Sequence, residues 1–452
     1  MYKYYNIYNI INNINKYINK LIIIKGWVKF FRNNLFLEVN DGSTIKNIQI
    51  VIKDKKFNKI KKQISIGIPL KILGKLIIQN QYKKNIELVP HKIKLYGELD
   101  NNFFNNSILQ NKYHSLSKLR KQKYLRFRTK IFNIIIKIRH NLFFIIHNYL
   151  IKNKFVYIHT PIINKNDAEG AGEVFKIIPL NRNKNLINNT FLTVSGQLEI
   201  ESAMYGLGKV YTFGPVFRAE NSNTNKHLSE FWMLEIEIIF FKLKDLIKFI
   251  IKFIKNLFKK ILKKSKKDLI FLDKYHSKYN VEKKIINQLK NIIKKKIIII
   301  SYSKIIKLLN NYYNNIIKWG DDIGAIHEKI LFNKIFINNL PIIIYNFPKK
   351  IKPFYMKLNK NKKTTKSIDV LFPNIGEVIG GSERETNYKK LFNRVKKEKI
   401  NIKNISWYLN LRKLGKIYHS GFGLGFDRLI QFITGMKNIR DIIPFPISIG
   451  NI

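Results

Sequence analysis

Arg218, Glu220 and Phe231 stand within residues 211–240, YTFGPVFRAENSNTNKHLSEFWMLEIEIIF, and their types suit one chemistry. An arginine offers a planar fork of N–H donors to phosphate oxygens, a glutamate accepts from an exocyclic amine, and a phenylalanine face stacks on a base. Together they could bind a nucleotide. An ordinary hairpin with a solvated charged face carries the same pattern, since charged residues mostly stay at the surface. The neighbours favour the first reading. Trp232, Leu234, Ile236 and Ile238 alternate with Glu235 and Glu237, so the carboxylates fall on one face of a strand apolar enough for a sheet core. Buried there, they need partners or a ligand.

Three further stretches carry chemistry. In SIDVLFPNIGEVIGGSERE, Asp369 and Glu377 belong to neighbouring parts of one sheet, where two carboxylates repel unless a cation or ammonium lies between them. HSGFGLGFDRLIQFITG is a glycine-broken strand running into a helix, with Gly421, Gly423 and Gly425 allowing close approach and Arg428 in the first helical turn. DAEGAGEVF, residues 167–175, combines small residues with two glutamates; a surface turn is its alternative reading. Neither a Walker A loop nor a Ser-His-Asp pattern is present, and the 9 histidines suggest no metal-ligand spacing.

The elements that must position these residues can be read in outline. Residues 1–20 are Asn- and Ile-rich, a short helix or a frayed lead-in. Between residues 21 and 97, about five short strands with a turn at NDGS predict a small barrel. Residues 99–128 are polar, basic and weakly periodic, and read as a hinge. Residues 129–152 have helical apolar spacing and lead into the strand FVYIHTPII. Residues 241–336 are Lys- and Ile-rich with three- and four-residue apolar spacing, which predicts amphipathic helices.

With 84 Lys and Arg against 29 Asp and Glu, the net charge is +55. Such a field favours a nucleic-acid partner, although the lysine excess runs with Ile and Asn throughout, as in an AT-rich genome. The absence of cysteine excludes disulfides and thiolate metal sites. No secretory signal is expected at the N-terminus, and the most apolar long stretch, residues 131–151, carries Lys137, Arg139 and His140. A soluble, cytoplasmic protein with no membrane and no DNA partner is expected.

FRAENSNT followed by HLSEFWMLE resembles the second signature motif of the class II aminoacyl-tRNA synthetases, in the form found in the asparaginyl branch of the aspartyl, asparaginyl and lysyl subclass. The long helix and FVYIHTPII resemble motif 1, a dimer interface in the family, and HSGFGLGFDRLIQF followed by RDIIPFP resembles motif 3. GWVKFFRNN, LFLEVNDGS and NIQIVI resemble the family's anticodon-binding barrel. The implied fold is α+β: an N-terminal OB-fold β-barrel (residues 1–98 with the lead-in), a hinge (99–128) and a class II catalytic domain, an antiparallel sheet flanked by helices (129–452). Within it, motif 1 spans about 129–163, motif 2 211–240, the helical region about 241–336 and motif 3 419–446.

The resemblance implies ATP and Mg²⁺, with L-asparagine and tRNA(Asn) as partners and a homodimer as the assembly. Arg218 and Arg428 would serve catalysis and, with Glu220, Phe231 and Glu377, hold ATP; Asp369 and Glu377 would ligate Mg²⁺. Glu169, Ser195, Gln197, Glu235 and Arg384 would hold asparagine, with Glu169, Ser195 and Gln197 at the α-ammonium and Arg384 at the side-chain oxygen. Arg32, Phe36 and Gln49 would meet the anticodon; a barrel-core position is the competing reading for Phe36. Aspartyl relatives have a lysine at the position of Ile200 and an aspartate at that of Glu235. Here the cation for a substrate carboxylate is absent, and Glu235 can accept from an amide NH₂, so asparagine is expected over aspartate. An aspartate-accepting synthetase, a noncatalytic RNA-binding relative and an ATP-dependent amidating enzyme are the alternatives. Phe127, Lys226 and the terminal ISIGNI depart from the family pattern.

Overall fold

The computed structural model describes residues 2–80, 85–100, 102, 104, 107–110, 114–165, 174–178, 190–220, 224–278, 284–313 and 316–448. The chain divides into two compact units, Met1–Ile135 and Ile136–Ile452.

In the first unit, β1 (Leu21–Arg32), β2 (Phe36–Asn40), β3 (Ile48–Val51), β4 (Pro69–Asn80) and β5 (Asn85–Leu95) close a barrel in the order β1-β2-β3-β5-β4. Alternation supplies its core: Ile22, Ile24, Val28, Leu37, Val39, Ile50, Ile72 and Leu88 all point inward and are buried. Gly26 lies where β1 crosses β2 closely; a Cβ there would stand 2.5 Å from the Asn40 carbonyl oxygen. The lead-in is a packed lid rather than a frayed end. Asn6 caps the helix Ile7–Asn12 by accepting from the Asn9 N–H at 2.8 Å, and Ile7 and Ile10 are fully buried in the barrel core with Tyr17. Asp41, in the NDGS turn, accepts from the Ile7 N–H at 2.7 Å and so ties the lid to the turn.

Part of the predicted hinge is also anchored within this unit. Ser115 caps a helix at Leu116–Lys121, and Arg128 donates to the Gly67 carbonyl at 2.7 Å while its own carbonyl accepts from Lys29 Nζ at 2.5 Å. Phe127 packs its edge on Phe132 at 5.1 Å, and the buried Arg126 guanidinium lies 4.0 Å from the same ring.

The second unit holds an eight-stranded sheet in the order β11-β12-β13-β14-β15-β10-β9-β6. Its strands are β6 (Val156–Tyr157), β9 (Lys209–Phe217), β10 (Glu230–Ile239), β11 (Ile298–Ser301), β12 (Ile342–Tyr345), β13 (Ser367–Phe372), β14 (Gly376–Glu383) and β15 (His419–Gly425). A separate pair, β7 (Ile163–Asn164) and β8 (Phe191–Leu192), lies outside it. All neighbours are antiparallel except the edge pairs β11/β12 and β6/β9.

The helix Lys130–Lys152 is long and apolar enough to cross a membrane by length and composition, yet Ile138, Leu142, Ile146 and Leu150 make a fully buried stripe at four-residue spacing. Phe143 on that helix stacks on Phe213 of β9 at 4.8 Å and meets Trp232 of β10 edge-on at 6.2 Å, so this face covers the sheet. On the helix Leu243–Lys264, Leu246, Ile250, Phe253, Leu257 and Ile261 repeat the pattern, with Phe253 reaching Phe422 of β15 at 6.1 Å. Residues 241–336 are mainly helical, as their periodicity predicts, but also contribute the edge strand β11.

The lid yields a test. Ile10→Ala removes a fully buried side chain and should cost about 3 kcal/mol, read as a lowered urea midpoint for barrel unfolding. An unchanged midpoint would mean that residues 1–20 do not pack on the barrel.

Candidate active site

The site grows from β10. Its carboxylates face β15, where Glu235 pairs with Gly423 and Glu237 with Gly421. A Cβ on Gly421 would lie 2.1 Å from Glu237 Oε1 and 2.4 Å from the Ile236 carbonyl oxygen. The motif 3 glycine at 421 therefore makes room for a buried glutamate rather than for a ligand. Both glutamates are buried, so theirs is not a solvated face.

Each carboxylate has defined partners. Glu237 accepts from the Arg384 fork, Nε at 3.1 Å together with Nη2, while Arg384 Nη1 donates to Ser382 Oγ at 2.7 Å. Burial, assisted by Glu201, raises the Glu237 carboxyl; the Arg384 guanidinium, held protonated by Glu237, opposes that rise in a buried ion pair. Glu235 accepts from Ser195 Oγ and, at 2.8 Å, from the Gly196 N–H.

Beneath the cleft, Glu201 is fully buried. Its Oε1 accepts from Arg412 Nη2 and lies 2.8 Å from His419 Nε2; its Oε2 accepts from Tyr408 Oη at 2.8 Å and Gln197 Nε2 at 2.5 Å. Burial acts to raise this carboxyl, but Arg412 and His419 bring it down to about 2. Glu201, Glu237 and His419 present ligand atoms within 4.8 Å of one another, but Arg412 and Arg384 already supply the positive charge there.

Asp369 on β13 and Glu377 on β14 converge over Gly380. From a Cβ built there, Glu377 Oε1 is 2.7 Å away and Asp369 Oδ1 3.7 Å. A lysine supplies positive charge beside them: Lys352 Nζ donates to both Asp369 oxygens, at 2.7 and 2.6 Å, and the Glu377 charge helps to keep it protonated. Burial pushes Asp369 up to about 7, with Lys352 acting against the shift and Glu377 with it. Two converging hard-oxygen donors fit a divalent cation such as Mg²⁺.

A single cleft of about 310 Å³ gathers these groups. Arg218, Glu220, Phe231 and Arg428 line it, as do Ser195, Gln197, Glu235 and Arg384, and the Asp369 and Glu377 pair. The Arg218 guanidinium lies 5.4 Å from the Phe231 ring centroid, and Arg428 Nη1 is fixed by the Glu377 carbonyl at 2.7 Å. Ile200 turns away into an apolar cluster with Met204 and Val210, and so brings no charge to the cleft. Glu169 lies outside the described residues.

On the barrel, Phe36 is half-buried on the outer face of β2 and does not join the core cluster. Its neighbours there are Arg32, which pairs with Glu38 at 3.3 Å, and Gln49, whose Nε2 donates to Glu87 at 2.6 Å.

Sequence reasoning missed Glu201, Arg412, Tyr408 and Lys352, although Ser195 and Gln197, close to Glu201 in TVSGQLEIES, were singled out. It also missed Asp427, which accepts from Arg139 of the long helix and from the Trp232 N–H at 2.8 Å, locking motifs 1, 2 and 3 together.

The barrel, the mainly antiparallel sheet and this cleft define a class II aminoacyl-tRNA synthetase. The model for tRNA synthetases class II (D, K and N) matches residues 115–448, and the chain belongs to that family. Among curated relatives, the asparagine–tRNA ligase of Borreliella burgdorferi is 42% identical over 454 residues, covering 96% of each chain. That of Phytoplasma australiense is 41% identical, covering 97% of this chain and 98% of its own. Among solved structures, asparaginyl-tRNA synthetase from Pyrococcus horikoshii, complexed with asparaginyl-adenylate, superposes with a TM-score of 0.85 at 29% identity over 97% of each chain.

The glycine opposite Glu237 gives a direct test. Gly421→Ala forces Glu237 or the β10 backbone aside and should destabilise the fold by about 1–3 kcal/mol in denaturant titration. Unchanged stability would place Glu237 elsewhere.

Proposed function

We infer that this chain is an asparagine–tRNA ligase. It joins L-asparagine to tRNA(Asn) at the expense of ATP, through an asparaginyl-adenylate, releasing pyrophosphate and then AMP. One observation carries the reading: the groups suited to phosphate, base, amino acid and divalent cation line the same cleft.

In the first step a carboxylate oxygen of asparagine attacks the α-phosphorus of ATP, and the bond to the β-phosphate oxygen breaks. In the second, a hydroxyl of the tRNA 3′-terminal ribose attacks the acyl carbon and AMP leaves. No side-chain nucleophile is needed, so catalysis rests on orientation and on stabilising charge as it develops. Arg218 faces the α-phosphate, Phe231 stacks on adenine, Glu220 accepts from its amine, and Arg428 reaches the terminal phosphate. Asp369 and Glu377 would hold Mg²⁺, which when bound neutralises phosphate charge. Lys352 keeps Asp369 in place before the nucleotide arrives.

At the amino-acid end, Gln197 and Ser195, with Glu169, serve the α-ammonium, and Arg384 serves the side-chain oxygen. Arg384 keeps N–H groups beyond those given to Glu237 and Ser382, because a guanidinium has five. Glu235 stays ready to accept from the substrate NH₂, and against aspartate it would oppose a second carboxylate. Discrimination therefore falls on Glu235 rather than on a charge at Ile200.

On the barrel, Phe36 stacks on an anticodon base, Arg32 meets the strand, and Gln49, its NH₂ held by Glu87, offers its carbonyl to a base N–H. The protein works as a homodimer in the cytoplasm. Phe144, Ile151, Tyr157 and Ile163 are about half exposed on the long helix, on β6 at the sheet edge and just beyond it, a surface suited to a second copy.

Exchange of labelled pyrophosphate into ATP, without tRNA, tests the reading. Asparagine should support exchange and aspartate should not; exchange with aspartate alone would overturn the substrate, and none with either would leave only RNA binding. Arg218→Ala should lower asparagine-dependent exchange by about 10²- to 10³-fold. Phe36→Ala should leave exchange unchanged while weakening tRNA binding by about tenfold, since stacking contributes about 1–3 kcal/mol per base.

A further inference from the structure

Gln197 has an acceptor that no described residue satisfies. The residue is 5% exposed and lines the cleft, yet its Oε1 has no hydrogen-bond partner among the described residues. Its Nε2, by contrast, donates to Glu201 Oε2 at 2.5 Å. An unpaired buried carbonyl costs about 1–3 kcal/mol, so a ligand donor is the natural complement.

The two ends of an amide are nearly alike in shape, but its surroundings tell them apart. A carboxylate only accepts, so the Gln197 end facing Glu201 must be NH₂. The reverse orientation would set two acceptors against each other. Glu201 is itself immobile: four donor groups surround its two oxygens, from Arg412, His419, Tyr408 and Gln197. It takes no part in lining the cleft. The Gln197 backbone is fixed as well, its N–H donating to Ser195 Oγ at 3.1 Å, and Ser195 in turn donates to Glu235.

We propose that Glu201, neutralised by Arg412, is a positioning residue that locks the Gln197 amide with its carbonyl oxygen toward the cleft, and that this fixed acceptor selects a substrate bearing a primary ammonium. The inference rests on the asparagine-activating reading above and deepens it. Recognition of the ammonium then depends on the direction of the amide as well as on its presence. A glutamine at 201 could turn its own amide to suit either end of Gln197, and the orientation would be lost.

The test compares asparagine with 3-carbamoylpropanoate, which is asparagine without its amino group. In pyrophosphate exchange, the ratio of the analogue's inhibition constant to the asparagine KM measures how strongly the ammonium is recognised. E201Q should reduce that ratio by about tenfold, mainly through the asparagine KM, with the ATP KM unchanged. Because E201Q leaves Arg412 buried without its partner, the double variant E201Q/R412M is measured beside it, with folding followed by circular dichroism. A wild-type ratio in a folded variant overturns the proposal, as does a loss confined to kcat. If wild-type protein gives no asparagine-dependent exchange, the functional reading itself fails, whatever the variants do.

Discussion

The catalytic unit depends on burying negative charge in the middle of a sheet. Glu235 and Glu237 on β10, with Glu201 below them, sit where an unpaired carboxylate would be costly. Arg384 and Arg412 neutralise two of the three, and the hydroxyl of Ser195 and the N–H of Gly196 hold the third. Glycine at 421 follows from this arrangement, because a side chain there would occupy the space of the Glu237 carboxylate. The arginine against Glu237 comes from β14's end and the one against Glu201 from a distant helical turn, so segments far apart in sequence must close together before either charge is satisfied.

This helps to explain which parts could be read from the sequence. The barrel and the two strands of motif 2 were legible because alternation is local: Leu37 and Val39 inward, Phe36 and Glu38 outward. The long helix was legible for the same reason at a different period. The partners of buried charges were not, because nothing local in TVSGQLEIES says that Glu201 will meet residue 412, or in FPKKIKPFYMKLN that one lysine among several will meet Asp369. The requirement for partners was visible; their identity depends on tertiary closure. For the lead-in, composition left a short helix and a frayed end both open; the helix Ile7–Asn12 forms, and Ile7 and Ile10 complete the barrel core.

Lys352 shows how a pair of converging carboxylates is kept stable inside the cleft. Two carboxylates over Gly380 would repel, and burial already raises Asp369. The ammonium removes that conflict without closing the site, since Lys352, Asp369 and Glu377 all line the cleft. A flexible point charge suits this duty better than arginine, whose planar fork would bind Asp369 in one fixed geometry.

The same orienting device occurs in both units. Gln197 gives its NH₂ to Glu201 in the catalytic sheet, and Gln49 gives its NH₂ to Glu87 on the barrel. A glutamine alone is an ambiguous reader, because its two ends differ little in shape and oppositely in hydrogen bonding. A carboxylate behind it removes the ambiguity, turning the side chain into a dedicated acceptor at the cost of a buried charge. In the catalytic unit that charge is balanced by Arg412, and the acceptor left over has no partner among the described residues. Glu201 therefore ties specificity to stability: the interactions that make its burial tolerable also fix the direction in which Gln197 can recognise a ligand.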